Sequence, residues 1–233
     1  MSTIKKKIGI IIYARTSSQR LPNKVLLNIE KNKTLLDLVY KRVKRGSYNL
    51  PIIINTSLSY KDDKIVSYCK KNNLKYFRGS LKNVFQRTIK CCDYFQIDTF
   101  VRVCCDRPFF DFQLMKKMIK EHKSDITTNQ LPKLAPKGLA CEIANIDIFK
   151  KLNQSKLSKF EREHIFDYFY KNKKKFKINS KYCFFSNKLN TYDFSIDTKK
   201  QFIKIKNLLN NKVINSTDTT RNILKKVSRF YYI

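Results

Sequence analysis

Short apolar segments alternate along the chain with amphipathic segments of helical length. The segments at 8–13, 51–56 and 98–105 (IGIIIY, PIIINT and DTFVRVCC) predict three buried strands. The segments at 34–45 and 111–122 have apolar residues at helical spacing. This alternation is typical of βαβ units, so the sequence predicts an α/β fold with a mainly parallel sheet.

The remaining elements are predicted from weaker patterns. Thr34 is a predicted N-cap of the helix at 34–45, and Ser80 is a predicted cap of a helix at 79–95. Further predictions are a helix at 61–73, a helix at 158–172, closing helices at 198–209 and 217–227, and strands at 75–77, 125–129, 139–145 and 192–196. Without a long linker or an internal repeat, residues 1–233 are predicted to form one domain.

The composition is that of a folded, strongly basic protein. Apolar residues make up 42% of the 233 residues, which excludes a disordered chain despite a formal net charge of +32. Lysines occur in nearly every segment, so we interpret much of this charge as compositional bias and solvated helix faces. Binding of nucleic acid or another polyanion is the alternative, and it requires a basic stripe and a steep salt dependence.

Cysteine usage and hydropathy indicate the compartment. Seven cysteines without C-x-x-C spacing indicate neither a zinc site nor a disulfide framework, which fits the reduced cytoplasm. The first apolar run stops at Arg15 and is far shorter than the roughly 20 residues that span a bilayer. We therefore expect a cytoplasmic protein without a membrane span.

Charged residues follow two of the predicted strands. The loop YARTSSQRLPNK at 13–24 carries Arg15, Arg20 and Lys24, and Asp106 follows the strand at 98–105. Ligands of open α/β sheets lie at the carboxyl ends of the strands. A nucleoside triphosphate with a divalent cation requires both cations and a carboxylate there, although the loop is neither a P-loop nor a G-x-G-x-x-G motif.

Six motifs resemble those of one enzyme family. ARTSSQRLPNK resembles A-R-x-x-S-x-R-L-P-x-K of the nucleotide-sugar cytidylyltransferases, in the branch of spore coat polysaccharide biosynthesis proteins, related to the CMP-Kdo and CMP-sialic acid synthetases. VRVCCDRPF resembles V-R-I-T-G-D-C-P-L, KYFRGSLKNVFQR resembles V-F-R-G-S-x-x-D-V-L-x-R, and KGLACEI resembles D-G-L-D-V-E-V. EREHI and SIDTKKQF resemble E-R-E-H-V and T-V-D-T-P-E-D-F, and all six follow the family's order from residue 8 to about 205.

The resemblance implies a Rossmann-like three-layer sandwich of the nucleotide-diphospho-sugar transferase type. It also implies transfer of CMP from CTP to an acidic or amino sugar with Mg²⁺, release of pyrophosphate, and a homodimer whose interface and sugar site lie within 138–190. UTP or GTP in place of CTP stays an alternative. The implied catalytic residues are Arg15, Arg20, Lys24 and Asp106, with Asp106 and Asp197 as metal ligands. The implied nucleotide-binding residues are Ala14, Arg15, Ser18, Arg20, Lys24, Arg78, Gly79, Ser80, Asn83 and Arg102, and the implied sugar-binding residues are Gly138, Glu142, Glu161, Arg162 and His164.

Several positions depart from the family pattern. Thr16 and Ser17 replace Met-Gly, so a left-handed glycine in the family would mean a strained or differently shaped loop here. Cys105 replaces the glycine before the metal aspartate, and Ala140 replaces an aspartate. A lost or repurposed activity is therefore an alternative.

Each site residue also has a structural interpretation. Asp106, two residues before a proline, is also compatible with a turn at a strand end, and His164 with a surface helix. Glu161 and Glu163 are compatible with first-turn acids that favour the helix dipole.

Overall fold

The structure is a computed structural model that describes residues 6–132, 135–180 and 192–230. A seven-stranded sheet has the order β5-β4-β1-β6-β8-β7-β9. β8 runs antiparallel to its neighbours β6 and β7, and every other pairing in the sheet is parallel. The strands of this sheet are β1 Ile8–Tyr13, β4 Ile52–Ser57, β5 Lys75–Gly79, β6 Thr99–Cys104, β7 Ile126–Thr128, β8 Glu142–Asn145 and β9 Ile178–Asn179.

Helices cover both faces of the sheet because the central strands are apolar on both sides. Successive side chains alternate between the faces, so Ile10 and Ile12 of β1 belong to one core while Ile11 belongs to the other. One face packs against α1 Leu35–Arg45, α2 Asp63–Lys71, α4 Phe112–Glu121, α8 Lys199–Asn210 and α9 Thr220–Phe230. The other packs against α3 Val84–Phe95, α5 Ile146–Lys150 and α7 Asp167–Lys171, and α6 Lys159–Glu163 lies against α3. The predicted α/β Rossmann-like fold is confirmed.

Most of the predicted helix ends agree with the structure. Thr34 caps α1 in a capping box with Asp37, as the sequence predicted. The cap predicted for α3 was wrong, because β5 runs as far as Gly79 and the helix begins at Val84 with Asn83 as its N-cap. Ser80 instead accepts a hydrogen bond from the Asn83 backbone and holds the turn before the helix.

The second half of the chain is less regular than predicted. The helix predicted at 158–172 is broken at His164 into α6 and α7. The strand predicted at 192–196 is wrong among the described residues, since its only β contact is a single bridge between Lys137 and Asp193. The sequence also missed a small hairpin of β2 Asn28–Glu30 and β3 Lys33–Thr34, as well as strand β9.

Two predictions concern the chain as a whole. In the part of the chain that the structure describes, no helix is long and apolar enough to cross a bilayer. Residues 181–190 of the predicted dimer and sugar subregion lie outside the described residues.

Candidate active site

The loop after β1 is fixed to the neighbouring strand by one buried carboxylate. Thr16 donates to Asp62 Oδ1 from its backbone nitrogen and from its hydroxyl, both at 2.7 Å. The backbone nitrogen and hydroxyl of Ser57, at the end of β4, donate to the other oxygen of Asp62. Burial raises the pKa of Asp62, but these hydrogen bonds outweigh it and hold the pKa below its ordinary value.

The loop also folds without the left-handed glycine that Ser17 replaces in the family motif. Neither Thr16 nor Ser17 has a positive φ, whereas Asn23, before Lys24, does, with φ of 56°. The Asn23 backbone nitrogen donates to the Thr16 carbonyl at 2.9 Å and closes the loop. The loop therefore turns at Asn23, and Thr16, which stands at the position of the family's methionine, supplies its hydroxyl to Asp62. Sequence reasoning did not identify Asp62 as part of the site.

Lys24 brings the two predicted metal carboxylates together. It lies in a one-turn 3-10 helix, and its side chain is only 10% exposed. Its Nζ donates to the Ile196 carbonyl at 2.7 Å and lies 3.3 Å from Asp106 Oδ2 and 3.1 Å from Asp197 Oδ1. Backbone pairing supports this approach, because the Ile196 nitrogen donates to the Asp106 carbonyl at 2.9 Å. Residues far apart in the sequence thus meet at the carboxyl end of β6.

Among the residues that the structure describes, three cations contact Asp197. Besides Lys24 on Oδ1, Arg20 Nη2 and Lys137 Nζ lie 3.3 and 3.2 Å from Oδ2. Lys137 also contacts Asp193 Oδ2 at 3.0 Å. Burial raises the pKa of Asp197, but its bonds to Lys24 and Lys137 outweigh burial and lower the pKa. Lys137 and Asp193 were missed, since no sequence pattern separates one lysine from the many others in this chain.

Asp106 and Asp197 together suit a divalent cation that takes its remaining ligands from a bound molecule and from water. Within residues 6–132, 135–180 and 192–230, no cluster of three or more His, Cys, Asp or Glu side chains could enclose a metal. Mg²⁺, however, commonly takes one or two carboxylates and fills its remaining positions with phosphate oxygens and water. Two carboxylates that already share one ammonium group match that requirement.

Arg15 connects the loop to the segment predicted to face the sugar. Its Nη2 lies 2.7 Å from Glu163 Oε1 at the end of α6, and both side chains are partly exposed. The ring of the neighbouring residue His164 packs against Phe160 at an angle of 37°, with ring centroids 4.2 Å apart. Burial lowers the pKa of the His164 imidazole. His164 therefore lies close to the cationic loop. Its role in binding the sugar stays a prediction.

Arg102 and Glu142 form a buried ion pair between β6 and β8. Arg102 Nη1 lies 2.6 Å from Glu142 Oε2, and the Tyr170 hydroxyl donates to Oε1 at 2.8 Å. The Tyr170 hydroxyl also lies 2.9 Å from the Thr128 hydroxyl. Burial raises the pKa of Glu142, but Arg102 and Arg107 outweigh it and lower the pKa. Arg102, which was predicted to bind the nucleotide, and Glu142, which was predicted to bind the sugar, therefore pair with each other.

The residues predicted to line the base pocket lie at the end of β5 and in the turn that follows it, beside the end of β4. Arg78 donates to the carbonyls of Ser57 and Ser59 at 3.0 and 3.1 Å and lies 2.7 Å from Asp63. A Cβ at Gly79 would lie 2.6 Å from Arg87 Cγ, so this position requires glycine unless Arg87 moves. The structure thus gathers Arg78 and Gly79, with the Ser80 and Asn83 turn, beside the loop at 13–24.

The other predicted residues have varied surroundings. Glu161 forms a capping box with Ser158, and Arg162 contacts the carbonyls of Gln154 and Ser155, so the structure does not bring these two to the carboxylates. Gly138 has φ of 93°, and a Cβ there would lie 2.6 Å from the Phe194 carbonyl carbon. Ala14 is buried at the end of β1, Ser18 is half-buried, and Cys105 is buried in the core below the site.

The mainly parallel sheet, the anchored loop and the paired carboxylates are the features expected of a nucleotide-binding α/β protein. The family model for cytidylyltransferases matches residues 9–226, and the chain belongs to this family. It is therefore a nucleotidyltransferase that uses CTP.

Two curated proteins are similar to this chain over most of its length. The chain is 31% identical over 176 residues to an uncharacterized protein of Methanocaldococcus jannaschii, covering 74% of this chain and 70% of that protein. It is 28% identical over 208 residues to the spore coat polysaccharide biosynthesis protein SpsF of Bacillus subtilis, covering 86% of this chain and 85% of SpsF.

Solved structures show the same fold. A cytidylyltransferase from Leptospira borgpetersenii superposes with a TM-score of 0.87 at 25% identity, covering 98% of this chain and 96% of the other. A CMP:2-keto-3-deoxy-manno-octonic acid synthetase complexed with CTP superposes with a TM-score of 0.62 at 15% identity, covering 88% of this chain and 98% of the other.

Proposed function

We propose that this cytidylyltransferase activates an acidic or amino sugar for the synthesis of a surface glycan. A sugar hydroxyl attacks the α-phosphate of CTP in line, pyrophosphate leaves, and a CMP-sugar is released. The names of SpsF and of the 2-keto-3-deoxy-manno-octonic acid synthetase support this class of acceptor. The observation that carries the proposal is the position of Lys24 Nζ between Asp106 and Asp197 at the carboxyl end of β6.

The cationic loop has the task of positioning the triphosphate. Arg15, Arg20 and Lys24 provide the cations, and Ser18 adds a hydroxyl near the middle of the same loop. Lys24 is the best placed of the three for the α-phosphate, because it is buried and held beside both carboxylates. Fixed cations of this kind stabilise charge that develops in phosphoryl transfer.

Asp106 and Asp197 would hold Mg²⁺, which supplies further neutralisation of the triphosphate. The Asp62 anchor keeps the loop in position before the nucleotide binds, which lowers the entropic cost of ordering it. We assign no general base, because transfer at phosphorus depends mainly on positioning and charge.

The remaining assignments follow the position of each segment. Arg78, Gly79, Ser80 and Asn83 are assigned to the base and ribose at the end of β5, and Arg102 is assigned to the nucleotide from β6, on the other side of β1. His164 is the best supported sugar residue, because its neighbour Glu163 contacts Arg15. Gly138 contributes to the site through its backbone. Glu142, Glu161 and Arg162 contribute indirectly, by stabilising the part of the fold that faces the sugar. Residues 138–190 form the homodimer interface in this proposal.

Thermal stability with Mg²⁺ and each of CTP, UTP, GTP and ATP tests the proposal, because a ligand that binds only the native state raises the midpoint. We expect the largest shift with CTP, and pyrophosphate release when a suitable sugar acid is added. The Lys24→Met variant is expected to lose the shift. The matched variant Lys41→Met, which removes the same charge from the exposed side of α1, is expected to retain it.

A protein that shows no shift with any nucleotide, and binds polynucleotide with a steep salt dependence, would refute the proposal and favour the polyanion-binding alternative.

A further inference from the structure

Lys137 is held against the active-site carboxylates by the backbone on which it lies. Its carbonyl accepts a hydrogen bond from the Phe194 nitrogen at 2.8 Å, and the bridge between Lys137 and Asp193 places the two segments side by side. The next residue, Gly138, leaves no room for a Cβ against Phe194. The side chain therefore starts from a fixed point close to Asp197.

Stability does not explain this arrangement. The Lys137 side chain is 51% exposed, and exposed ion pairs contribute little to folding.

The charges around Asp197 indicate what the lysine binds. In the described part of the chain, three cations (Arg20, Lys24 and Lys137) contact three carboxylates (Asp106, Asp193 and Asp197). A triphosphate brings more negative charge than one divalent cation neutralises, so further cations must face it. Lys137 shares the Oδ2 oxygen of Asp197 with Arg20, so the phosphates that Arg20 reaches are also within reach of Lys137.

We propose that Lys137 is a further phosphate-binding residue, which pairs with Asp193 and Asp197 in the free protein and donates to phosphate oxygens of the bound nucleotide. This inference rests on the proposed function, because it requires CTP to occupy the site beside Asp106 and Asp197. It adds a cation from outside the loop at 13–24 to the triphosphate site.

Calorimetric titration of CTP in the presence of Mg²⁺ tests the assignment. The Lys137→Met variant is expected to bind CTP about tenfold or more weakly, since it loses a charge-assisted hydrogen bond. The Lys137→Arg variant is expected to recover most of the affinity, and the Lys41→Met variant is expected to bind as the wild type does. Melting of the unliganded Lys137→Met protein is expected to change little, because the ion pairs it loses are exposed.

A second variant separates binding from a structural role. Asp193→Asn removes one partner of Lys137 while leaving the lysine in place, so CTP affinity is expected to stay unchanged or to rise. Wild-type affinity in Lys137→Met, or equal weakening in Lys137→Met and Asp193→Asn, would overturn the inference. A wild-type protein that does not bind CTP at all would instead refute the proposed function.

Discussion

Two clusters of cations and carboxylates, one in the loops at the carboxyl end of β6 and one between β6 and β8, differ in the length and the exposure of their contacts. The open cluster, defined as Arg20, Lys24, Lys137, Asp106, Asp193 and Asp197, has ion-pair distances of 3.0 to 3.3 Å and exposed cations at its rim. The buried cluster, defined as Arg102, Glu142, Tyr170 and Thr128, has distances of 2.6 to 2.9 Å, and the Glu142 side chain is only 4% exposed.

The difference shows which cluster can exchange partners. In the buried cluster each oxygen of Glu142 has a short contact, so a ligand would have to compete with a desolvated ion pair. In the open cluster the cations share oxygens at longer distances, and water or a ligand can reach them. The open cluster is therefore suited to binding a substrate, and the buried cluster to holding β6, β7 and β8 in register with α7.

The largest expected effect comes from breaking the buried cluster. Glu142→Ala leaves the Arg102 guanidinium buried and unpaired, so we expect the free energy of unfolding to fall by about 3–5 kcal/mol. Denaturation by urea measures this change. Glu142→Gln, which keeps the shape and a carbonyl acceptor, is expected to lose less. A loss below about 1 kcal/mol in Glu142→Ala would contradict the distinction between the clusters.

The open cluster is expected to respond in activity and not in stability. Asp106→Ala removes one of the two carboxylates that meet at Lys24, so we expect pyrophosphate release to fall by about a hundredfold or more while the melting temperature is retained. Asp147→Ala, on the exposed side of α5, is the matched control and is expected to remain active. Near-normal turnover in Asp106→Ala would refute the metal assignment.

A smaller effect is expected at the loop anchor. Thr16→Val keeps the shape of the side chain but removes the hydroxyl that donates to Asp62 and to the Lys61 carbonyl. We expect a loss of about 1–2 kcal/mol in the free energy of unfolding, because a buried carboxylate loses one donor. Thr217→Val, at an exposed position, is the control for the substitution itself. Equal stability in both variants would show that the Thr16 hydroxyl contributes nothing to the Asp62 anchor.

The pH dependence of stability is expected to show the anchor more weakly. Because the pKa of Asp62 is lowered in the folded state, its ionised form stabilises the protein fully above the ordinary aspartate pKa of about 4. This contribution is lost as the pH falls toward the lower, folded-state pKa. We expect urea midpoints measured between about pH 3 and 7 to fall less steeply in Asp62→Asn than in the wild type. Identical slopes would remove Asp62 as a cause.

Sequence reasoning was most successful where a pattern is local. Strand β1 was predicted with its observed bounds, and α1 with its cap, because alternation and helical spacing are properties of consecutive residues. The prediction was wrong where local patterns compete. The segment at 158–172 reads as one helix, but it breaks at His164, where Phe166 and Phe169 turn into the core on the α3 face.

The residues of the candidate site divide in the same way, into those with a local sequence signal and those without one. The cations of the loop and Asp106 were predicted from their positions after strands, and the family motifs added Asp197 to the prediction. Asp62 and Lys137 were not found, because a buried aspartate in a helix start and one lysine in a lysine-rich chain carry no local signal. Their partners, Thr16 and Asp197, lie 46 and 60 residues away.

The sequence by itself determined the α/β class, the order of most elements, the cationic loop and the family. Only the tertiary structure decided which charges meet: Lys24 with Asp106 and Asp197, Lys137 with Asp193, and Arg102 with Glu142. The physical reason is that periodicity and capping act between neighbours along the chain. Ion pairs between distant segments depend instead on how every helix and strand packs around the common core.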